Sequence, residues 1–126
     1  MSLVLVVDDN PVNSKLVRVV LTCAGYEVLT AGDAVEALSL MARRPPQLVL
    51  MDLQLPGMDG LELTRLIKAA PATAHVPVVA LTAYAMRGDE ERALAAGCAG
   101  YIAKPIDTRA LPGLVARHLV ADAGGA

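Results

Sequence analysis

Short apolar runs alternate along the chain with longer segments of helical periodicity. The runs cover residues 3–7, 26–31, 48–51, 78–82 and 100–103. Each has the length and aliphatic character of a buried β-strand, and each intervening segment has room for a helix. The pattern therefore predicts an α/β fold, a doubly wound five-stranded parallel sheet with helices on both faces.

Pro11 and Gly25 bound the first predicted helix. Proline suits the first helical turn, and glycine commonly follows the last. Between them, apolar residues recur at helical spacing, which predicts one buried face. The residues of that predicted inward face are Val12, Leu16, Val20 and Ala24, with Val17 and Leu21 beside them.

Two aspartates, each followed three residues later by a glutamate, predict the starts of the second and third helices. The pairs are Asp33 with Glu36 and Asp59 with Glu62. The prolines at 45 and 46 should stop the second helix, and the third should end near residue 71. The side chains predicted to point inward from the third helix are Leu63, Leu66 and Ile67.

The last two helical segments have weaker patterns. Met86 and Leu94 are the only large apolar residues of the fourth, at about 87–96, so we expect it to be loosely anchored. In the fifth, Asp107 is a candidate cap, but Pro112 removes a backbone donor in the opening turns. We therefore expect a kink or a delayed start there, and fraying towards the end of the chain.

A chain of 126 residues with 55% hydrophobic content has room for one domain of ordinary size. Its net charge of -2, with Lys and Arg scattered, argues against binding to nucleic acid. No apolar run approaches the roughly 20 residues that a membrane span needs, and no secretory signal opens the chain. We expect a cytoplasmic protein in which Cys23 and Cys98 are reduced packing residues rather than a disulfide.

Polar residues stand at the ends of the predicted strands. Asp8 and Asp9 follow the first strand, Asp52 the third and Lys104 the fifth, while Thr82 ends the fourth. The carboxyl ends of parallel strands share one edge of a sheet, so we expect these side chains to lie together. Clustered carboxylates suit Mg²⁺, and the metal with a lysine and a hydroxyl can stabilise a phosphoryl group in transfer.

Asp52 is the best-placed nucleophile among the three acids. It ends the strand predicted to be central, whereas Asp8 and Asp9 lead into a loop where either could cap a helix. Each polar residue taken singly also has an ordinary structural explanation, as a cap, a solvated strand end, a strand hydroxyl or a surface charge. Their convergence on one edge is what favours a functional site.

The chain resembles the receiver domain of bacterial response regulators over roughly residues 3–120. The motifs that carry the resemblance are VVDDN at 6–10, MDLQLPGMDG at 51–60, VALTA at 79–83 and KP at 104–105. The resemblance implies a flavodoxin-like fold with strand order 2-1-3-4-5, a receiver domain at residues 1–121 and a flexible tail at 122–126. It also implies a signalling switch of a two-component phosphorelay rather than an enzyme.

The resemblance further implies that Asp52 is phosphorylated by a histidine kinase or a histidine phosphotransfer protein. Asp9, Asp52 and the backbone carbonyl of Gln54 would ligate Mg²⁺, with Asp8 acting largely through water. A downstream effector protein would recognise the phosphorylated form. Whether the chain is a monomer or a dimer formed on phosphorylation stays open.

Residues near the fourth and fifth strands complete the implied site. Thr82 and Lys104 would bind phosphoryl oxygens, and the peptide bond before Pro105 would be cis. Thr82 and Tyr101 would form a switch pair that reshapes the surface of the fourth helix, fifth strand and fifth helix. The alternative for Tyr101 is a half-buried strand aromatic with its hydroxyl in water. Tyr84 should affect the lifetime of the phosphoryl group.

Residues 83–92, 97–98 and 101–106 more narrowly resemble the stand-alone cell-division regulators of the DivK type. Similar stretches occur in receiver domains of hybrid kinases, so the alternative that the chain is a receiver domain taken from a hybrid kinase stays open. The rival class is a hydrolase of the haloacid dehalogenase type, which also uses an aspartate nucleophile with Mg²⁺. That chemistry usually needs an acid two residues after the nucleophile, where this chain has Gln54.

Overall fold

The computed structural model describes residues 2–82, 87–104 and 106–124, and the side chains of all of these except 82, 87–90 and 120–124. The strands are β1 (Leu3–Val7), β2 (Glu27–Ala31), β3 (Leu48–Asp52), β4 (Val78–Thr82) and β5 (Gly100–Ala103). The helices are α1 (Pro11–Cys23), α2 (Ala34–Arg43), α3 (Gly60–Ala69), α4 (Arg87–Ala96) and α5 (Leu111–Gly124). The predicted alternation of strands and helices is confirmed.

The five strands form one parallel sheet in the order β2-β1-β3-β4-β5. This confirms the predicted strand order and places β3 at the centre. After β2 the chain crosses over β1 to build β3, so the connections leaving β1 and β3 diverge. Such a reversal opens a crevice at the carboxyl ends of the two strands, where ligands bind in sheets of this kind.

An apolar cluster covers each face of the sheet, because successive strand residues point to opposite faces. All five residues of β1 and all five of β3 are buried. Leu5 and Val49 belong to the cluster that includes residues of α2, α3 and α4, whereas Val4 and Leu50 belong to the cluster with α1 and α5. The central strands are therefore held from both sides, which fixes where their last residues lie.

Aspartates cap α2 and α3 as predicted. The carboxylates of Asp33 and Asp59 each accept a hydrogen bond of 2.8 Å from the backbone N–H three residues on. At α1 the cap is Asn10, whose side-chain oxygen accepts from the N–H groups of residues 12 and 13. Asp8 and Asp9 are thus not needed as helix caps, and their carboxylates are available to the crevice.

The prediction of which α1 residues face inward is wrong for most of them. Val17 and Leu21, expected at its margin, are the fully buried ones. The exposed members of the predicted face are Val12, Leu16 and Ala24, while Val20 is half-buried. Apolar side chains surround much of α1, so periodicity alone does not select the face that meets the sheet.

The remaining helices differ from the sequence prediction in smaller ways. Leu66 is 44% exposed although the other two predicted inward side chains of α3 are buried. Leu94 is 50% exposed, and α4 is instead held by the small buried side chains of Ala93 and Ala96. Among the α4 side chains that the structure describes, these two are the buried ones, which agrees with loose anchoring of the helix.

The start of α5 is delayed, as Pro112 led us to expect. Asp107 accepts hydrogen bonds from the N–H groups of Arg109 and Ala110, and the helix begins only at Leu111. At its other end α5 continues to Gly124, past the residue where we expected the tail to begin. The extent of the helix does not test whether residues 122–126 are flexible, so the boundary at 121 stays a prediction.

Both cysteines are free, which confirms that they form no disulfide. Cys98 is buried, as expected of a packing residue, whereas Cys23 is exposed, so the packing role predicted for Cys23 is wrong. Among the described residues, none of the helices combines the length and apolar content that crossing a bilayer requires.

His118 on α5 packs against the start of β5. A Cβ atom at Gly100 would come within 2.7 Å of His118 Cε1, so the ring lies directly on the glycine backbone. Burial, and secondly the positive charge of Arg117, lower the pKa of His118 from its ordinary value of 6.5. Protonating this ring is therefore less favourable in the folded chain than in the unfolded one.

This lowered pKa predicts a pH-dependent loss of stability. The stability that neutral His118 contributes is fully present above the pKa of the unfolded chain. It is lost as the pH falls through the lowered pKa of the folded chain, because the unfolded chain takes up the proton first. We expect the wild-type chain to lose more stability than His118→Gln between about pH 7 and about pH 5. Urea denaturation across this range measures the difference, and equal losses in the two proteins would contradict the prediction.

Candidate functional site

Three aspartates meet at the carboxyl edge of the sheet. Asp8 and Asp9 follow β1, Asp52 ends β3, and one carboxylate oxygen from each lies within 4.8 Å of the other two. Asp8 and Asp52 are buried, with 3% and 5% of their surfaces exposed, while Asp9 is exposed. The cluster is thus embedded in the protein on one side and open to solvent on the other.

Lys104 is the cation of this cluster. Its Nζ lies 3.3 Å from Asp8 Oδ2 and 3.3 Å from Asp52 Oδ2, and only 16% of its side chain is exposed. One lysine beside a cluster of three carboxylates, two of which it contacts, leaves negative charge in excess. Two unit charges about 4 Å apart at an effective dielectric constant near 20 interact by about 4 kcal/mol, so this excess is costly.

A divalent cation fits the cluster. The donor set is all carboxylate oxygen, which is the ligand type that Mg²⁺ prefers, and the excess negative charge favours a cation. A cavity of about 270 Å³ opens beside Asp8 and Asp9, between α1 and the end of β2. The exposed position of Asp9 leaves a route by which an ion and its water molecules can reach the carboxylates.

The electrostatics of Asp52 reflect this crowding. Burial raises the pKa of the Asp52 carboxyl above its usual value, and the charge of Asp8 raises it further. The backbone N–H of Gln54, which donates to Asp52 Oδ1 at 3.0 Å, and the charge of Lys104 act in the opposite direction. The net effect is a raised pKa, because the carboxylate loses more hydration than these two partners replace.

Local hydrogen bonds orient Asp8. Its Oδ1 accepts from the backbone N–H of Asn10 at 2.9 Å, and its backbone carbonyl accepts from the Ser14 hydroxyl at 3.2 Å. Sequence reasoning missed Asn10 and Ser14 as supporting residues. The signal for Asn10 was present, because an asparagine directly before a proline is typical of a helix start.

Gly60 supports Asp52 through the backbone, and sequence reasoning missed it as well. A Cβ atom at Gly60 would lie 2.8 Å from Leu53 Cα and closer still to the Asp52 carbonyl oxygen. The Gly60 N–H donates to the Leu53 carbonyl at 3.1 Å. The first turn of α3 therefore lies directly against the end of β3, at a distance that only glycine permits.

The structure describes only some of the other predicted site residues. Thr82 is paired with Ala103 at the end of β4, but its side chain is outside the described part, as are Tyr84 and Pro105. Tyr101 is 37% exposed on β5. The Gln54 side chain is exposed beside Asp52.

The chain belongs to the response regulator receiver domain family. The family model, described as the response regulator receiver domain, matches residues 4–116, which is most of the chain. The resemblance read from the sequence motifs is therefore confirmed. Receiver domains of this family are signalling switches of two-component systems.

Within the family, the chain is similar to DivK regulators. It is 47% identical over 103 residues to the polar-differentiation response regulator DivK of Brucella anthropi, and equally to that of Brucella ovis. Each alignment covers 82% of this chain and 84% of the DivK protein. These values support a CheY-like receiver of the DivK type.

Solved structures agree with the fold. The chemotaxis protein CheY4 of Vibrio cholerae matches with a TM-score of 0.89 and 29% identity, over 94% of this chain and 98% of that one. The receiver domain of NtrX from Brucella abortus matches with a TM-score of 0.86 and 34% identity, over 93% and 98% of the two chains. The parallel sheet and its five helices are thus those of CheY-like receivers.

Replacing Gly60 by alanine tests how closely α3 approaches the Asp52 strand. Gly60→Ala should destabilise the fold by about 1–3 kcal/mol, because the added methyl group meets backbone atoms that cannot turn away. Gly113→Ala is the matched control, since that glycine lies in the first turn of α5 with nothing within 4 Å of an added Cβ. The control should be neutral or stabilising by up to about 1 kcal/mol.

Urea denaturation of both glycine variants measures these changes. A Gly60→Ala protein as stable as Gly113→Ala would show that the close approach is not required.

Proposed function

We propose that this chain is a phosphorylation-controlled switch in which Asp52 accepts a phosphoryl group from a phosphohistidine of a kinase or a phosphotransfer protein. The observation that supports this proposal most is the clustering of Asp8, Asp9 and Asp52 at the carboxyl edge, with Lys104 beside Asp8 and Asp52. The membership of the receiver family supports it independently.

In the proposed reaction, a carboxylate oxygen of Asp52 attacks the phosphorus atom and the bond from phosphorus to the histidine nitrogen breaks. The leaving imidazole keeps the electron pair, and the product is an acyl phosphate on Asp52. The N–H of Gln54 holds one Asp52 oxygen, and Lys104 lies by the other. These contacts restrict rotation of the carboxylate before the phosphodonor arrives.

Asp9, Asp52 and the backbone carbonyl of Gln54 would hold Mg²⁺, with Asp8 acting through water. When bound, the ion offsets the negative charge of the phosphoryl oxygens. The role of Lys104 is similar, because its amine can move from the Asp8 and Asp52 oxygens to a phosphoryl oxygen as the carboxylate charge is lost. Thr82 would donate a hydrogen bond to a second phosphoryl oxygen.

The surface formed by α4, β5 and α5 would change on phosphorylation. Thr82 would move towards the phosphoryl group, and the Tyr101 ring would turn inward from its exposed position on β5. The light anchoring of α4 by small side chains supports a helix that can take two positions. A downstream effector would recognise the altered surface.

The phosphorylation proposal predicts a gain in mass at one residue. With acetyl phosphate and Mg²⁺, the intact wild-type chain should gain the mass of one phosphoryl group, and Asp52→Asn should gain none, since an amide is not a nucleophile here. Asp33→Asn is the matched control, because asparagine also caps helices well and the site is untouched. Intact-protein mass spectrometry measures the labelled fraction.

Labelling of Asp52→Asn at the wild-type rate would refute the assignment of the acceptor. Sustained release of phosphate from a small phosphate ester would instead point to a hydrolase.

The charge excess at the cluster predicts stabilisation by Mg²⁺. An ion that binds the folded chain at a concentration of 100 times its dissociation constant adds about 2.7 kcal/mol to the free energy of unfolding. We expect Mg²⁺ to raise the thermal unfolding temperature of the wild-type chain and to do so less in Asp9→Asn, with Asp33→Asn behaving as wild type. Differential scanning fluorimetry over a Mg²⁺ titration tests this, and an unchanged response in Asp9→Asn would exclude Asp9 as a ligand.

A further inference from the structure

Thr64 and Cys98 are polar residues in the core that the proposed reaction does not use. Thr64 is completely buried in α3, and Cys98, just after α4, is 5% exposed. Their side chains meet, with Cys98 Sγ lying 4.0 Å from Thr64 Oγ1. Burial raises the pKa of the Cys98 thiol, so the thiol keeps its proton and can donate it in a weak hydrogen bond to the threonine oxygen.

Thr64 is also joined to the phosphoryl-acceptor strand. Its hydroxyl donates to the Gly60 carbonyl at 2.8 Å, and Gly60 is the residue whose backbone lies against Asp52 and Leu53. A shift of the Asp52–Leu53 backbone cannot leave the first turn of α3 in place, because no free space separates them.

Cys98 in turn holds the end of α4. The Cys98 N–H donates to the Ala93 carbonyl at 3.0 Å, and the N–H of Ala99 donates to the Val78 carbonyl at 2.7 Å. Next to it, Gly97 lies on the Lys68 side chain, whose Cγ would be 2.9 Å from a Cβ at that glycine. The end of α4 is thus attached to α3 through both Cys98 and Gly97.

We propose that Thr64 is a positioning residue that couples the Asp52 strand end to the end of α4 through α3. This coupling rests on the proposed phosphorylation of Asp52, and it is separate from the Thr82–Tyr101 pair because it runs over α3 rather than over β4 and β5. A movement of Asp52 on phosphorylation is passed from Gly60 to Thr64 and then to Cys98. Lightly packed α4 then responds at its end nearest α3.

Hydrogen exchange of wild type, Thr64→Val and Thr64→Ser, with and without acetyl phosphate, tests this coupling. Valine keeps the shape of threonine without the hydroxyl, and serine keeps the hydroxyl. In phosphorylated wild type we expect the exchange rates of amides 93–99 to change by about threefold or more. The change should persist in Thr64→Ser and be largely lost in Thr64→Val at equal labelling.

Intact mass, recorded on the same samples, separates the two proposals. No mass gain in wild type would overturn phosphorylation and the coupling with it, whereas a mass gain with an unchanged α4 end would overturn the coupling alone. A full response in Thr64→Val would also overturn it. If Thr64→Val does not fold, Cys98→Ala, which keeps the bond from Thr64 to Gly60, must show the reduced response instead.

Discussion

Repulsion among three carboxylates held within 4.8 Å is the constraint on which the rest of this structure depends. In an unfolded chain the like charges would move apart, so the fold must hold the cluster in place. It does so by ending two fully buried parallel strands at the same edge, where apolar clusters on both faces prevent β1 and β3 from moving apart. Lys104 offsets part of the charge, and the remainder makes the site a strong attractor of cations.

α3 and α4 are packed differently against the rest of the molecule. α3 helps to hold the carboxylate site, whereas α4 belongs to the surface that would change on phosphorylation. α3 is bound tightly, with its first turn against the Asp52 backbone and Leu63 and Ile67 buried. α4 has only alanine side chains in the core among its described residues. A local change at the carboxylates therefore acts on a tightly packed helix, α3, and on a weakly held one, α4.

Features encoded by neighbouring residues were predictable from the sequence. The strands, the caps Asp33 and Asp59, and the late start of α5 each depend on a few adjacent residues, and the structure bears them out. The meeting of Asp8, Asp9 and Asp52 was predictable too, because parallel topology alone brings strand ends together.

Features decided by tertiary packing were not predictable in this way. The buried face of α1 depends on how the helix is rotated against the sheet, and its apolar residues lie on several faces. The need for glycine at position 60 depends on the approach of α3 to a strand end that sequence spacing does not reveal. Thr64 gave no signal for a similar reason, since its partner Cys98 is far away along the chain.

The strand order also has a consequence for synthesis of the chain on the ribosome. The segments β2, β1 and β3 are complete once residue 52 has emerged, whereas Lys104 follows β5 at the other edge of the sheet. A single domain generally folds as one unit, so the three acids are held together only after β5 and Lys104 have also emerged. Partial neutralisation by Lys104 is accordingly available from the moment the carboxylate cluster forms, in the nascent chain as in refolding.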